Sequence, residues 1–306
     1  MNGQGMPLVV AVMGPTASGK SALALRLAKE LGMEIISADS AQVYRQTSVG
    51  TAKPTPEEQR EVPHHLIDIR DLDEGFCLAD FQSLATQAIG DIWARNRIPL
   101  VVGGTGLYVR GLLEGYALDA PSPDMELRAR LNGWDMQSLL EELERRDPET
   151  FHSIDLSNRR RVSRALEVVM QTGRSWLECS RRQPPPWRVL KLGLVCERDT
   201  LRLRIQKRLR NMLSAGWADE VAGLLRDGWE EALMAANILG YREVAEFVKG
   251  QMTREQMEEE VFIKTCRFAK RQRTWLRAEP RLIALASGED AYGNICRLIA
   301  EQLDGT

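Results

Sequence analysis

The stretch Leu8-Val-Val-Ala-Val-Met-Gly-Pro-Thr-Ala-Ser-Gly-Lys-Ser21 decides the fold of this chain. It begins with an unbroken apolar run, typical of a buried strand, and continues with the pattern G-x-x-x-x-G-K-[ST]. Residues 21–31 then place leucines at helical spacing. In a strand, glycine-rich loop and helix of this order, backbone N–H groups and the helix N-terminus converge on phosphate oxygens. The predicted phosphate-binding residues are Gly14, Pro15, Thr16, Ala17, Ser18, Gly19, Lys20 and Ser21. Among them Lys20 supplies a point charge, and the Ser21 hydroxyl suits a Mg2+ ion.

Strands and helices alternate in the sequence that follows. Apolar runs predict strands at residues 34–39 and 99–102, with an amphipathic helix at 79–94 between them. A strand returns at 189–196, and a short apolar segment at 282–285 predicts a last one. Such alternation is typical of an α/β fold, a P-loop NTPase-like parallel sheet flanked by helices.

The pattern changes near residue 119, where prolines and helical stretches replace the strands. Helices are predicted at 126–132, 136–146 and 159–170, and three consecutive prolines follow at 184–186. We therefore expect a P-loop α/β core domain of residues 1–118 and 188–306, with an all-helical insertion domain at 119–187. A long helix at about 253–277 is predicted in the last part of the core domain.

Residue composition excludes several classes of protein. The 306 residues are 43% hydrophobic and 27% charged, values typical of globular proteins and unlike disordered, collagen-like or disulfide-scaffold sequences. The longest apolar runs are much shorter than the roughly 20 residues that span a membrane. The 5 cysteines form no C-x-x-C pair, which favours neither disulfides nor a zinc site. We expect a cytoplasmic protein with no membrane partner.

Basic residues are concentrated in three stretches, although the net charge is only −2. Residues 157–193, 198–210 and 262–281 together contain 22 Lys and Arg against 4 Asp and Glu, so the remainder is strongly acidic. Such segregation suits a protein that holds a polyanion, because neutralising phosphates and releasing their counterions supplies sequence-independent affinity. Each stretch alone could be a solvated helix face. The three together favour an anionic macromolecule as partner.

The phosphate-binding motif leaves the chemistry of the site open. An ATPase normally presents an acidic residue at the end of a second apolar strand, but the strand at 99–102 ends in Gly103-Gly104-Thr105-Gly106. The strand at 34–39 does end in a carboxylate, Asp39. Asp39 is therefore either a magnesium ligand or a base facing the phosphate-bearing ligand. A kinase of a small metabolite or nucleotide is an alternative function that fits these residues.

A series of sequence strings resembles the tRNA dimethylallyltransferase family, also called the tRNA isopentenyltransferases. The strings occur in the family's order and extend over nearly the whole chain. They are Gly14-Pro-Thr-Ala-Ser-Gly-Lys-Ser21, Ser37-Ala-Asp-Ser-Ala-Gln-Val-Tyr44, Gly50-Thr-Ala-Lys-Pro54, Val62-Pro-His-His-Leu-Ile-Asp68, Val102-Gly-Gly-Thr-Gly-Leu-Tyr108, Asn158-Arg-Arg-Arg-Val-Ser-Arg-Ala-Leu-Glu-Val168, Ile238-Leu-Gly-Tyr-Arg-Glu243 and Ala269-Lys-Arg-Gln-Arg-Thr-Trp275.

The resemblance implies a prenyl transfer. A dimethylallyl group would pass from dimethylallyl diphosphate to N6 of the adenosine 3′-adjacent to the anticodon, in tRNAs that read codons starting with U. Diphosphate would leave, and Mg2+ would be the cofactor. Because the loop would then hold diphosphate and not ATP, no triphosphatase carboxylate is needed after the strand at 99–102. Asp39 matches the family's catalytic base, and Thr105 and Arg208 match residues near the reacting centre. Without the family resemblance, Thr105 could also simply cap the helix that follows it.

The resemblance also implies which residues contact tRNA. The segment that reads the target base matches Asp39, Ser40, Ala41 and Gln42, with Thr105 beside it, and Gln42 can pair with an adenine edge. The basic helix carries the matching contacts Arg160, Arg161, Val162, Ser163 and Arg164, and Arg128 matches another by position. The target base must leave its stack before its amine reaches a buried site. The chain ends at Thr306 without the zinc-finger extension of some eukaryotic relatives, so we expect the bacterial form, and we expect a monomer.

Some conspicuous residues have a structural explanation as well as a functional one. Trp176, Trp187 and Trp275 lie beside arginines and could stack on bases, although core packing accounts for them equally well. His64 and His65 lack a third ligand at metal-like spacing, which favours ordering of a loop.

The sequence leaves the roles of two further positions undecided. Lys53 touches RNA, diphosphate or neither. The family's usual Thr-Arg-Gln before Ala-Lys-Arg-Gln is replaced by Thr265-Cys266-Arg267, so one local phosphate contact is either lost or supplied by Arg267.

Overall fold

The computed structural model describes residues 6–116, 121, 124–288 and 290–304. Within them, parallel strands form one sheet of 6 strands in the order β3-β2-β4-β1-β5-β6. The strands are β1 (Leu8–Met13), β2 (Glu34–Ala38), β3 (His64–His65), β4 (Pro99–Gly103), β5 (Arg188–Val195) and β6 (Ile283–Ala286).

The central strands are apolar because helices cover both faces of the sheet. Every residue of β1, β2 and β4 is buried, as expected for a parallel sheet between two helical layers. The strands predicted from apolar runs are confirmed, with ends displaced by at most one residue; β2 ends at Ala38, so Asp39 starts the loop. The short β3 was not predicted, because two histidines give no apolar pattern.

The other regular elements of the described residues are helices, which occupy most of the last third of the chain. They are α1 (Lys20–Leu31), α2 (Pro56–Glu61), α3 (Leu78–Ala94), α4 (Gly106–Glu114), α5 (Met125–Asn132), α6 (Met136–Arg146), α7 (Pro148–Ser153), α8 (Arg159–Thr172), α9 (Trp176–Cys179), α10 (Arg198–Ser214), α11 (Trp217–Arg226), α12 (Glu230–Ala236), α13 (Tyr241–Val248), α14 (Arg254–Arg277) and α15 (Asp290–Asp304). The predicted helices are confirmed, and α14 begins with a capping box in which Thr253 and Gln256 satisfy each other's backbone N–H groups.

The described chain divides into two compact units, with boundaries after Leu112 and after Pro185. Unit 1 holds the sheet, and unit 2 is the segment between the boundaries. The sequence predicted an insertion at 119–187; its first boundary, at 118–119, lies outside the described residues, and the structure divides the chain within α4 instead. Among the described residues unit 2 contains helices and no strand.

Each unit has its own hydrophobic core. In unit 1, Ala24 and Leu27 of α1 and Ile295 of α15 pack with the sheet residues Val10 and Leu192. In unit 2, α5, α6 and α8 contribute a separate buried cluster, Leu127, Leu131, Leu139, Leu143, Val162, Ala165 and Leu166. No helix in the described parts of the chain is both long and apolar enough to cross a bilayer.

Candidate functional site

Three loops of unit 1 meet at the carboxyl edge of the sheet. The phosphate-binding loop follows β1, the Asp39 segment follows β2, and the Gly103–Gly106 loop follows β4. Because β4 pairs with β1 and with β2, Gly103 lies beside both Met13 and Ala38. The fold thus brings together three of the sequence strings that were predicted to form one site.

The phosphate-binding loop has the curled backbone that its motif predicts. Ala17 and Gly19 adopt left-handed conformations with φ of 61° and 90°, and Ser18 N–H donates to the Pro15 carbonyl at 3.2 Å. A left-handed alanine is uncommon outside constrained loops. The buried hydroxyl of Ser18 has no hydrogen-bond partner among the described residues, so the loop retains polar capacity for a ligand.

Lys20, Arg208 and Asp39 form the charged group beside this loop. Burial, together with the positive charge of Arg208, lowers the pKa of Lys20 to about 8, and Asp39 acts in the opposite direction. Burial also lowers the pKa of Arg208, again opposed by Asp39. Two enclosed cations with one carboxylate leave an excess of positive charge, which a multiply charged anion would relieve.

The Asp39 carboxylate and the Thr105 hydroxyl lie on adjoining loops. Asp39 Oδ1 accepts a hydrogen bond from Ala41 N–H at 2.9 Å, which closes a tight turn. Thr105 Oγ1 accepts one from Ser40 N–H at 3.3 Å. The Thr105 carbonyl also starts α4 by accepting from Tyr108 N–H at 3.0 Å. Thr105 therefore begins a helix and joins the Asp39 segment at the same time.

Gln42 already has partners within the protein. Its Oε1 accepts from the Ser37 hydroxyl at 2.9 Å, and its Nε2 faces the carbonyls of Thr51 at 3.4 Å and Ala52 at 3.3 Å. An adenine edge would compete with these contacts or share them, since an amide oxygen and an amide NH2 each accommodate more than one bond.

Arg208 depends on the same segment as Gln42. Its Nη2 donates to the Thr51 carbonyl at 3.3 Å. This segment is held in turn by Glu220 of α11, whose oxygens accept from the N–H groups of Ser48 and Val49, both at 2.7 Å, and from Gly50 at 3.3 Å. Sequence reasoning missed Glu220, because a carboxylate on an amphipathic helix gives no sign of a partner 172 residues away.

The predicted tRNA-contacting arginines of unit 2 differ in their surroundings. Arg160 and Arg161 are exposed in the first turn of α8. Arg164 and Arg128 both form ion pairs with Glu167 Oε2, at 2.9 and 3.0 Å, and the side chain of Glu167 is 1% exposed. Arg128 and Arg164 therefore hold unit 2 together while remaining partly accessible.

Val162 and Ser163, the other two predicted tRNA contacts on α8, are less accessible to solvent than Arg160 and Arg161. Val162 is fully buried in the core of unit 2, where it packs with residues of α5 and α6, and its predicted contact with tRNA stays a prediction. Ser163 is half-buried.

Several conspicuous residues have structural roles. Lys53 is 4% exposed and bonds to the Asp68 carboxylate and the Tyr44 carbonyl, so its ammonium group ties two loop segments together. Nδ1 of His64 lies 2.8 Å from the Val62 carbonyl oxygen, and Nε2 of His65 lies 2.8 Å from Oε2 of Glu34. Among the described residues, no cluster of three or more histidine, cysteine or carboxylate side chains could hold a metal ion.

The structure also shows the surroundings of the three tryptophans and of residues 265–267, where the sequence differs from the family's usual string. Trp187 is buried, with its ring edge-on to Trp93 at 5.7 Å, and Trp176 packs against the core of unit 2. Cys266 packs with Ala17 and the apolar residues of α10. Arg267 and Trp275 line a surface groove of about 510 Å3 together with Lys270, Arg271 and Thr274. Arg267 therefore presents its charge to solvent and not to the core.

Comparison with known proteins shows the family of this chain. The IPP transferase family model matches residues 42–279. A tRNA dimethylallyltransferase of Thermomicrobium roseum is 46% identical over 275 residues, covering 88% of this chain and 83% of that protein. The full-length tRNA isopentenylpyrophosphate transferase from Bacillus halodurans has a TM-score of 0.73 at 38% identity, with 98% of each chain covered. A eukaryotic dimethylallyltransferase acting on tRNA has a TM-score of 0.79 at 25% identity, covering 92% of this chain and 74% of that one. The resemblance expected from the sequence is confirmed, and the chain belongs to the IPP transferase family.

Proposed function

We propose that this protein transfers a dimethylallyl group from dimethylallyl diphosphate to N6 of the adenosine 3′-adjacent to the anticodon of tRNA. The observation that carries the proposal is that the Asp39 carboxylate acts electrostatically on both Lys20 and Arg208 beside the phosphate-binding loop. A base next to cations suits a reaction in which an N–H proton is lost while an anion leaves. The names of the related enzymes support the same reaction.

The proposed step is a substitution at the allylic carbon. The adenine N6 forms a bond to C1 of the dimethylallyl group, and the bond from C1 to the diphosphate oxygen breaks. Asp39 accepts the proton released from N6, so a carboxylic acid, the prenylated base and diphosphate result. Lys20, Arg208 and the loop N–H groups stabilise the charge that grows on the leaving oxygen.

The residues present suit Mg2+ that is bound together with diphosphate. The exposed Ser21 hydroxyl at the start of α1 and the Asp39 carboxylate are oxygen donors, the type that Mg2+ prefers, and phosphate oxygens and water usually complete its shell. When bound, Mg2+ neutralises negative charge on the leaving group. The protein's own contribution is the loop that holds the diphosphate and the two cations beside it.

We propose that the tRNA contacts include the exposed Arg160 and Arg161. Recognition of an anticodon loop relies on stacking and base edges, with phosphates held by arginine. The tRNAs modified would be those reading codons that start with U, and the reaction would take place in the cytoplasm, where unpaired cysteines are typical.

A kinase is the alternative function. It would use the same loop for ATP and Asp39 to activate an acceptor hydroxyl. It is disfavoured because β4 ends in Gly103-Gly104 without a carboxylate and because a small acceptor needs no basic helix such as α8.

The test combines three assays on the pure protein. Unmodified tRNA is incubated with dimethylallyl diphosphate and Mg2+, and the digested nucleosides are analysed by mass spectrometry, with ATP hydrolysis and AMP prenylation measured in parallel. The proposal expects N6-dimethylallyladenosine in tRNA alone. Formation of prenylated AMP would show that the acceptor is a free nucleotide. ATP consumption without any prenyl product would establish the kinase alternative.

A further inference from the structure

We propose that Gln272 of α14 is a positioning residue that joins the phosphate-binding loop to the Gly103–Gly106 loop and thereby sets the affinity for diphosphate. The inference rests on the proposed function, in which the first loop holds the leaving group and the second carries Thr105. It assigns a role to a side chain in the middle of the string Ala269-Lys-Arg-Gln-Arg-Thr-Trp275.

One amide group makes both connections. Gln272 Oε1 accepts a hydrogen bond from Thr16 N–H at 2.8 Å, and Gln272 Nε2 donates to the Gly104 carbonyl at 3.0 Å. The residue is only 7% exposed. Both bonds span the sequence, with separations of 256 and 168 residues, so they tie α14 to the carboxyl edge of the sheet.

The amide has a single orientation that satisfies this environment. Thr16 N–H offers a donor and the Gly104 carbonyl an acceptor, so exchanging the oxygen and nitrogen of Gln272 would bring two donors together and two acceptors together. Buried polar groups are costly without partners. Gln272 also lies in line with the buried residues Ala269 and Leu276 of α14, where packing alone would favour an apolar residue. Its polarity is therefore explained by these two backbone groups.

Helix α14 packs closely against both loops. A Cβ at Gly104 would overlap Nε2 of Gln272, and a Cβ at Gly106 would come within 2.5 Å of the Trp275 ring. One turn earlier, Ala269 packs in the same cluster as Ala17 of the phosphate-binding loop. Successive turns of α14 thus contact both loops, and Gln272 supplies the polar contact between them.

The consequence for ligand binding is preorganisation. Without Gln272, the peptide of Thr16 would lose its partner and could rotate, so the loop would have to be ordered when diphosphate binds. Ordering at the moment of binding lowers affinity, and displacement of Thr105 relative to the leaving group lowers turnover. The groups that bind tRNA on unit 2 would be unaffected.

The test uses Gln272→Met, which keeps an unbranched side chain of similar length and removes both hydrogen bonds. Binding of inorganic diphosphate with Mg2+ is measured by calorimetry, and tRNA binding by filter retention, on the full chain. We expect diphosphate affinity to fall about tenfold while tRNA affinity stays within about twofold. Gln251→Leu, an exposed position between α13 and α14, is the matched control and should leave both affinities unchanged.

Retention of wild-type diphosphate affinity by Gln272→Met would overturn the inference. An equal loss of both affinities would also overturn it, because general destabilisation would then account for the effect. If the variant does not fold, hydrogen exchange of the Thr16 amide is measured in the ligand-free wild type instead. The inference expects slow exchange, because this N–H is bonded to a buried side-chain amide. Exchange at the rate of an open loop would contradict the inference. Failure of wild type to prenylate tRNA would reject the proposed function instead, since diphosphate binding is read independently.

Discussion

The hydroxyl of Tyr241 donates to Oε1 of Glu220 at 2.7 Å, beneath the segment that supports Arg208. Burial and the neighbouring Glu220 raise the pKa of Tyr241 well above its usual range, so the hydroxyl stays protonated as a donor. The carboxylate of Glu220 accepts this bond in addition to the three from residues 48–50. Two residues that contact no substrate in the proposed reaction therefore fix the loop beside the site.

We expect Glu220→Gln to disturb this arrangement, because an amide offers one acceptor oxygen where the carboxylate offers two. Unmet backbone N–H groups should lower the free energy of unfolding by about 1–3 kcal/mol, measured by urea denaturation. Turnover should fall as Arg208 loses its support, with tRNA affinity unchanged. Asp219→Asn, the exposed neighbouring carboxylate, is the control. Unaltered stability and turnover in Glu220→Gln would show that the segment orders itself.

Asp39→Ala is expected to abolish prenyl transfer with little loss of tRNA affinity, since the proton acceptor disappears. Asp39→Asn is the more selective variant because its side-chain oxygen can still accept from Ala41 N–H and keep the turn. Its turnover should fall by roughly 10²- to 10⁴-fold, as measured by N6-dimethylallyladenosine formation. Asp91→Asn on the exposed face of α3 provides the control. Near-normal turnover in Asp39→Asn would exclude the base assignment.

Because of Lys20, folding stability and diphosphate binding should change with pH in opposite directions. Its pKa is about 8 in the folded protein against an ordinary 10.5. Between these values the unfolded state binds more protons, so the contribution of Lys20 to folding stability rises with pH, and below pH 8 its burial is fully unfavourable. Diphosphate binding requires the ammonium form and should weaken as pH rises above 8.

Urea denaturation of wild type and Lys20→Met at about pH 7 and about pH 9.5 checks the stability part. The variant should be more stable than wild type near neutrality, and the difference should shrink at the higher pH. Calorimetry near pH 8 should detect proton uptake when diphosphate binds to wild type, and no such uptake with Lys20→Met. A constant stability difference between the two proteins would contradict the low pKa.

Substitutions of Arg161 and Arg164 should have different effects, although both residues lie on α8. The first should weaken RNA binding alone, and the second should also lower folding stability. Arg161→Ala removes an exposed charge, so tRNA binding should weaken and the slope of log affinity against log salt should decrease by about one. Arg164→Ala removes a partner of the buried Glu167 and should also lower the free energy of unfolding by about 1–3 kcal/mol. Arg145→Ala on α6, 63% exposed and paired with Glu142 on the surface, is the control for loss of an exposed arginine in unit 2. Equal stability losses in the two α8 variants would contradict this division.

The strands and helices that carry the site were predictable because their patterns are local. The apolar run of β1, the glycine-rich loop and the leucines of α1 each lie within a few residues, and the predicted bounds of β1 and α1 differ from the observed ones by at most one position. The family strings likewise named Asp39, Thr105 and Lys20, which the sheet brings to one edge.

The contacts that position these residues were not predictable, because their partners are distant in sequence. Glu220 and Gln272 act on backbone groups 172 and 256 residues away, and no spacing rule relates such positions. The one available signal was a polar residue in a buried stripe: Gln272 on α14 and Glu167 on α8 both replace an expected apolar residue. The same limit explains why the arginines paired with Glu167 were assigned to RNA alone.

The bond between Thr16 and Gln272 also has a consequence for biosynthesis. A ribosome makes the chain from its N-terminus, so the glycine-rich loop emerges long before the residue that completes it. Until residue 272 has left the exit tunnel, the nascent α/β segment contains every signature residue for phosphate but lacks the bond at Thr16. Nascent chains halted before α14 should therefore bind diphosphate poorly, because the Thr16 N–H has not yet met its partner.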